Sequence, residues 1–355
     1  MAIRVLIVDD SALMRKLLQA RLSQEADIEV VGCACDASEA RSLIKALDPD
    51  VVTLDIEMPG MDGLSFLQKI MELRPTPVII VSGTTREGDR NTVRALKLGA
   101  ISCYAKSDSH TGGPENDGGQ LAELVREAAC VSFRKPVSIA PRQQAPATPS
   151  APSSRREPAR LVALGASTGG VEALCKLLAQ FPADCPPTVI VQHVNARFAP
   201  AIAQSLDGSS PARVVLAESD MRLERGMVYL APGGERHMLV APAGPQGYRV
   251  VLRPGPEVSG HSPSVDVLFG SVAETVGAGA VGALLTGMGQ DGARGLLKMY
   301  EKGAHTIAQD AESCVVYGMP RAAIELGAAK RVLPLERIAG NIFARADIAR
   351  EAVAS

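Results

Sequence analysis

Ser167 stands at the tip of Gly165-Ala166-Ser167-Thr168-Gly169, a G-x-S-x-G turn between an apolar run at 161–164 and a helical stripe of Val171, Leu174, Leu177 and Leu178. Strand, tight turn and helix is the setting that holds a serine hydroxyl clear of a sheet edge. The free N–H groups of the helix amino end then lie close to any oxyanion that forms there. Such a serine needs a base, and the base needs a carboxylate to fix its tautomer. His193 ends the apolar run 188–192, and Asp291 lies in the glycine-rich turn after a run at 280–285. Each of the three is expected to follow directly on a strand, so all three are expected at one rim of one sheet. Their order, Ser, His, Asp, is not the Ser, Asp/Glu, His order of α/β-hydrolases. His237, His261 and His305 compete with His193, and His110 lies in the other half of the chain. Asp266, at a helix start, competes with Asp291 or serves as an N-cap.

The turn at 287–292 also reads as G-x-G-x-x-G, after a strand and before a helix, with Asp310 beyond the next strand. That is the pattern of a dinucleotide-binding turn with an acidic ribose ligand. It falls late in its half of the chain, whereas such turns usually follow a first strand.

A second group of polar residues occupies the first half. Apolar runs at 3–8, 51–54, 77–81 and 101–104 are followed by Asp9-Asp10, Asp55, Ser82 and Lys106. Helical patterns alternate with these runs, which predicts an open parallel sheet whose strand ends carry all five side chains. Three carboxylates at one place repel one another unless a cation joins them, and an all-oxygen set suits Mg²⁺. Lys106 and Ser82 are placed to meet an incoming phosphoryl group.

The elements that must position both groups divide the chain. With 355 residues, two domains are expected. Residues 1–134 form the first and 160–345 the second, the latter again α/β with parallel strands and a hairpin at 237–253. Residues 135–159, rich in Pro, Ala and Ser, cannot bury a core and read as a linker, and the loop 107–119, rich in Gly, Asp and Ser, as mobile. Aromatic content of 3% and a net charge of −2 argue against a nucleic-acid partner. No signal segment or apolar run long enough for membrane insertion is seen, so a cytoplasmic location is expected. The seven scattered cysteines are expected as reduced thiols, not disulfides or a metal site.

Residues 3–134 resemble the receiver domain of bacterial response regulators. The matches are Asp9-Asp10, Leu54-Asp55-Ile56-Glu57-Met58-Pro59-Gly60-Met61-Asp62-Gly63, Val81-Ser82 and Tyr104-Ala105-Lys106. The resemblance implies a flavodoxin-like sheet, Asp55 as acceptor of phosphate from a sensor histidine kinase, and Mg²⁺ held by Asp9, Asp10, Asp55 and the Glu57 carbonyl. It further implies Ser82 and Lys106 as phosphoryl contacts and Tyr104 as the aromatic that responds. Ser107 replaces the usual proline after the lysine.

Residues 160–345 resemble the chemotaxis protein-glutamate methylesterases, the CheB family. The matching blocks are Gly165 to Gly170, Gln192-His193, Tyr229-Leu230-Ala231-Pro232-Gly233, Pro263-Ser264-Val265-Asp266, Leu285 to Gly292 and Ser313 to Pro320. This implies a Rossmann-like three-layer domain, a Ser167–His193–Asp291 triad, and an oxyanion hole from the Met288 N–H with Thr168. The implied activity is hydrolysis of glutamate γ-methyl esters, and deamidation of glutamines, on methyl-accepting chemotaxis receptors, with no cofactor in the esterase reaction. The alternative is a receiver-controlled module that binds a receptor or nucleotide without catalysis.

Overall fold

The computed structural model describes residues 2–58, 63–83, 85–106, 119–131, 160–244 and 247–344. The linker 135–159, His110 with the rest of 107–118, and both outer domain limits lie outside the described residues.

The first sheet is parallel and follows from the apolar runs. It consists of β1 (Ile3–Val8), β2 (Ile28–Ala34), β3 (Val51–Asp55), β4 (Val78–Ser82) and β5 (Ser102–Ala105), in the order β2-β1-β3-β4-β5. Helices α1 (Ala12–Leu22), α2 (Ala37–Leu47), α3 (Gly63–Leu73), α4 (Arg86–Lys97) and α5 (Gln120–Ala129) cover its faces. This is the expected flavodoxin-like winding, which reverses between β1 and β3. Asp9 follows one of those two strands and Asp55 ends the other. Local chemistry sets the helix ends. Asp36 Oδ1 accepts the N–H groups of Ser38 and Glu39 at 2.8 and 2.9 Å, and Asp48, left-handed at φ 46°, stops α2 ahead of Pro49.

The second domain holds β6 (Leu161–Ala166), α6 (Gly170–Leu178), β7 (Thr188–Gln192), α7 (Ala199–Asp207), β8 (Arg213–Leu216), β9 (Met227–Leu230), β10 (Arg236–Pro242) and β11 (Tyr248–Pro254). It continues with α8 (Val265–Thr275), β12 (Ala280–Leu284), α9 (Ala293–Glu301), β13 (His305–Gln309), α10 (Met319–Glu325), β14 (Arg331–Leu333) and α11 (Leu335–Phe343). Seven strands make one parallel sheet, β14-β13-β12-β6-β7-β9-β8, while β10 and β11 pair as a separate antiparallel hairpin. The hairpin rests on α8, where Ser271 Oγ accepts the Val240 N–H at 2.9 Å and Thr275 Oγ1 donates to the Val240 carbonyl at 3.0 Å. From the adjacent strands β6 and β12 the winding runs in opposite directions. A crevice therefore opens between their carboxyl ends, as such sheets require.

Two features depart from the sequence expectation. Asp291 does not follow directly on a strand: β12 ends at Leu284, and the turn 285–290 intervenes. The elements α7, α10, β14 and α11 have no counterpart in the alternation read from the sequence. Two of them, α7 and α10, are short and carry a proline in the first turn, a position that tolerates the missing N–H.

The glycines of the serine turn act for different reasons. Gly169 is left-handed at φ 74° and admits the turn into α6. Gly165 serves space instead: a Cβ there would lie 2.3 Å from Val265 Cγ1, so β6 and α8 approach only over a bare backbone. Gly165→Ala is therefore expected to destabilise the domain by about 1–3 kcal/mol through overpacking, measured as a lower urea midpoint. An unchanged midpoint would show that Val265 moves aside freely.

Candidate active site

Residue pairing across the sheet brings Ser167 and His193 together. Ala166 faces Gln192 in the β6–β7 ladder, so the next residue on each strand leaves the sheet beside the other. The His193 N–H donates to the Ala166 carbonyl at 3.0 Å, and Gln192 Nε2 donates to the carbonyls of Ser167 and His193 at 2.9 and 3.0 Å. Gln192 thus ties the two strand ends together. Ser167 is 7% exposed, and its hydroxyl makes no hydrogen bond among the described residues. The backbone N–H groups of Thr168 and Met288 likewise have no acceptor there.

His193 Nε2 lies 2.8 Å from Asp291 Oδ2. A carboxylate acceptor places the proton of the neutral ring on Nε2, which leaves Nδ1 as the basic nitrogen. Nδ1 is buried and has no partner among the described residues. Asp291 itself is saturated with donors. Its Oδ1 accepts from Ser264 Oγ at 2.7 Å, Asp266 N at 3.0 Å and Gly292 N at 3.0 Å, and its Oδ2 also accepts from Val265 N at 2.7 Å. The amino end of α8 therefore points at this carboxylate, with Ser264 as both N-cap and donor. Burial pushes the Asp291 carboxyl up, but the bonds from His193, Ser264 and Asp266 outweigh it and hold it below the usual carboxylate range. Burial holds the His193 imidazole below its usual range, against the pull of Asp291 and with the push of His261.

The competing residues have other duties. Asp266 Oδ1 accepts the Gly295 N–H at 2.6 Å, in the first turn of α9, and does not serve a histidine. His237 takes the Ser264 N–H on Nδ1 at 3.1 Å and faces the Pro256 carbonyl with Nε2 at 2.9 Å. His305 starts β13 at the opposite sheet edge and bonds Asn341 Oδ1 at 2.7 Å. His261 is the residue that sequence reasoning undervalued, because no strand precedes it directly. Its ring stacks on His193 at 3.7 Å between centroids and 11° between planes. One ligand atom each of His193, His261 and Asp291 lie within 4.8 Å of one another. Parallel rings cannot aim two in-plane lone pairs at one ion about 2.1 Å away, so this arrangement is a stack and not a metal centre.

The dinucleotide reading of the turn 287–292 is not sustained. Two N–H groups at the helix start, where a pyrophosphate would sit, are taken by carboxylates: Gly292 by Asp291 and Gly295 by Asp266. Asp310 is engaged by Ser313 at 2.7 Å.

In the first domain, Lys106 Nζ bridges Asp55 Oδ2 at 2.6 Å and Asp9 Oδ2 at 2.9 Å. Burial opposes the Lys106 charge, but the bonds to Asp55 and Asp9 outweigh it and raise the ammonium above its usual range. Burial likewise pushes Asp9 up, against the pull of Lys106. Oxygens of Asp9, Asp10 and Asp55 lie within 4.8 Å of one another, and buried Asp9 Oδ2, although close to Lys106, has no well-directed donor. Such an under-satisfied oxygen set fits a hard divalent cation. Ser82 is buried at the end of β4, and the Glu57 N–H donates to Asp55 Oδ1 at 2.9 Å. Tyr104 is buried, with its hydroxyl held by Arg21.

The two domains meet over Ser167. A cavity of about 500 Å³ is lined by Ser167, Thr168, His193 and His261 on one side and by Glu123 and Glu127 of α5 on the other. Thr168 Oγ1 donates to Glu127 Oε2 at 3.0 Å. Arg197, four residues after His193, pairs with Asp89 of α4 at 2.9 Å and donates to the Gly83 carbonyl next to Ser82.

Comparison with known proteins agrees with this division. Residues 5–110 match the response regulator receiver domain and residues 162–342 the CheB methylesterase family. A protein-glutamate methylesterase/protein-glutamine glutaminase of Caulobacter vibrioides is 52% identical over 347 residues, covering 96% of this chain and 97% of that protein. One from Rhizobium johnstonii is 50% identical over 343 residues, covering 96% and 95%. The crystal structure of the Thermotoga maritima CheB methylesterase catalytic domain superposes with a TM-score of 0.51 at 33% identity, covering 52% of this chain and 98% of that one. With its serine crevice in the second parallel sheet and its acidic pocket in the first, the chain belongs to the CheB methylesterase family and carries a response regulator receiver domain ahead of the methylesterase domain.

Proposed function

We propose that this chain is a phosphorylation-gated protein-glutamate methylesterase and glutaminase acting on methyl-accepting chemotaxis receptors in the cytoplasm. Ser167 Oγ attacks the γ-carbonyl carbon of a glutamate methyl ester while His193 Nδ1 takes its proton. The tetrahedral intermediate collapses, the C–O bond to the methoxy group breaks, and His193 returns the proton so that methanol leaves. Water then hydrolyses the glutamyl-enzyme by the same proton path in reverse. A glutamine enters the same sequence with ammonia as leaving group. Asp291 keeps His193 in its Nε2–H tautomer and offsets the imidazolium charge. The unpaired N–H groups of Thr168 and Met288 are the donors for the oxyanion.

The observation that carries this reading is the His193–Asp291 pair beside a serine whose hydroxyl is uncommitted. Ser167→Ala and His193→Ala are each expected to lower methanol release from a methylated receptor by ~10³-fold or more. Near-normal release by either protein contradicts the triad.

The pH dependence follows from the direction of the His193 shift. Only the neutral ring is a base, and burial lowers the pH at which it charges. The acid limb of kcat/KM is therefore expected below the free-imidazole value of about 6.5. A limb above that value contradicts a buried, neutral base.

In the receiver, a sensor histidine kinase supplies the phosphoryl group to Asp55. Asp9, Asp10, Asp55 and the Glu57 carbonyl would hold Mg²⁺, which supplies charge neutralisation there. Lys106 and Ser82 contact the phosphoryl oxygens. Glu127 on Thr168 and the Arg197–Asp89 pair support a closed, slow form of the unphosphorylated chain. Removing residues 1–150 is expected to raise basal methanol release, about tenfold for each 1.4 kcal/mol of docking energy lost. A truncated protein no faster than the whole chain argues against this inhibition.

A further inference from the structure

The segment 258–266 touches the His193–Asp291 pair from two sides. Its far end, Ser264 to Asp266, supplies Asp291 with three donors. Its near end carries His261. Val258 and His261 exchange two backbone hydrogen bonds of 3.1 Å around Ser259 and Gly260, which are left-handed at φ 56° and 77°. Two successive left-handed residues make the tight two-residue hairpin turn, a conformation that a serine adopts only where its surroundings impose it. The His261 ring is fixed as well, since Nδ1–H donates to the Ser259 carbonyl at 2.8 Å. A ring so held presents its flat face to His193 at 3.7 Å, nearly parallel.

We propose that His261 is a positioning residue for this reaction: its anchored ring is a platform that stops His193 from turning about its side chain, keeping Nε2 on Asp291 and Nδ1 on the side of Ser167. This rests on the reading of His193 as the base. Without a neighbour on its face, the ring would trade its Asp291 bond for others as it rotates, and a displaced base costs rate steeply. His261 is not itself the base, because its Nδ1 is committed to a carbonyl and its plane runs alongside His193 instead of toward it. The stack also opposes a second charge on His193, although Asp291 on Nε2 favours that charge. Other groups facing the pair are Glu123 and Glu127 from α5, of which Glu127 feels the charge of His261, and Glu235 and Glu257 on the cavity wall.

The test uses the full chain, treated with acetyl phosphate and Mg²⁺, and methanol release from a peptide bearing a glutamate γ-methyl ester. His261→Ala is expected to lower kcat by about 10- to 100-fold with KM nearly unchanged. It is also expected to move the acid limb to higher pH, because the ring loses cover and a like-charged neighbour. His261→Phe, which keeps a flat face, is expected to restore most of kcat. The proposal is overturned if His261→Ala keeps the wild-type kcat and limb, or if His261→Phe is no better than His261→Ala. Substantial activity in His193→Ala would instead remove the base reading beneath it, a separate result. Should His261→Ala melt early, ¹⁵N shifts of the His193 ring in the wild-type chain decide: one Nε2–H tautomer is expected, and an even tautomer mixture overturns the proposal.

Discussion

The catalytic half of this molecule is arranged around one buried negative charge. An ionised carboxylate taken out of water is costly unless its oxygens are filled with donors. Asp291, 1% exposed, is filled by Ser264, the backbone of Val265, Asp266 and Gly292, and the ring of His193. Those donors come from separate pieces of chain: the amino end of α8, the start of α9 and the strand end after β7. Satisfying one charge therefore fixes three elements against each other, and the crevice between β6 and β12 takes its shape from that. The histidine is the one member of the donor set with a second, uncommitted nitrogen. The same demand that makes the carboxylate tolerable also sets which side of the imidazole is basic.

The receiver uses carboxylates in the opposite sense. There Asp9 and Asp55 share one ammonium with Asp10 close by, and an oxygen of Asp9 is left without a well-directed donor. Asp291 has a full set of donors, and the receiver group has fewer. A saturated group holds its charge and geometry. An under-satisfied group is prepared to take on a cation and a phosphoryl oxygen. Both lie at the carboxyl edge of a parallel sheet, the receiver group at strand ends and Asp291 in the turn beyond β12, so the difference lies in what the loops bring.

That contrast also explains what could be read from the sequence. Residues at or just past the end of a strand were legible, because strand ends follow from periodicity: Asp9, Asp55, Ser82, Lys106, Ser167 and His193 all stand there. Asp291 was legible as a residue type, but the choice between it and Asp266 was not. Both precede or begin helices, and only the packing of α8 against α9 decides which carboxylate meets a histidine. His261 was undervalued for the same reason. Its value comes from a turn 68 positions along the chain from the ring it stacks on. The elements α7, α10 and α11 were missed because their apolar stripes are too short to rise above a proline-broken background.

The contact between the domains has the energetic scale of a switch. Its polar part is the Arg197–Asp89 pair, the Arg197 bond to Gly83, the Thr168–Glu127 bond and Lys97 on Ser209 at 3.0 Å. Apolar residues join them, with Val316 packed into the cluster that contains Tyr104 and Leu121. Half-buried bonds of this kind contribute about 0.5–1.5 kcal/mol each, so the polar part supplies a few kcal/mol, beside buried apolar residues such as Val93 and Leu96 that share one cluster with Val171 and Leu174. A phosphoryl group carries nearly two negative charges, enough to rearrange hydrogen bonds of the kind that make up the polar part. Because Arg197 donates to the carbonyl beside Ser82 and sits four residues after His193, a short stretch of chain on each side joins the two pockets.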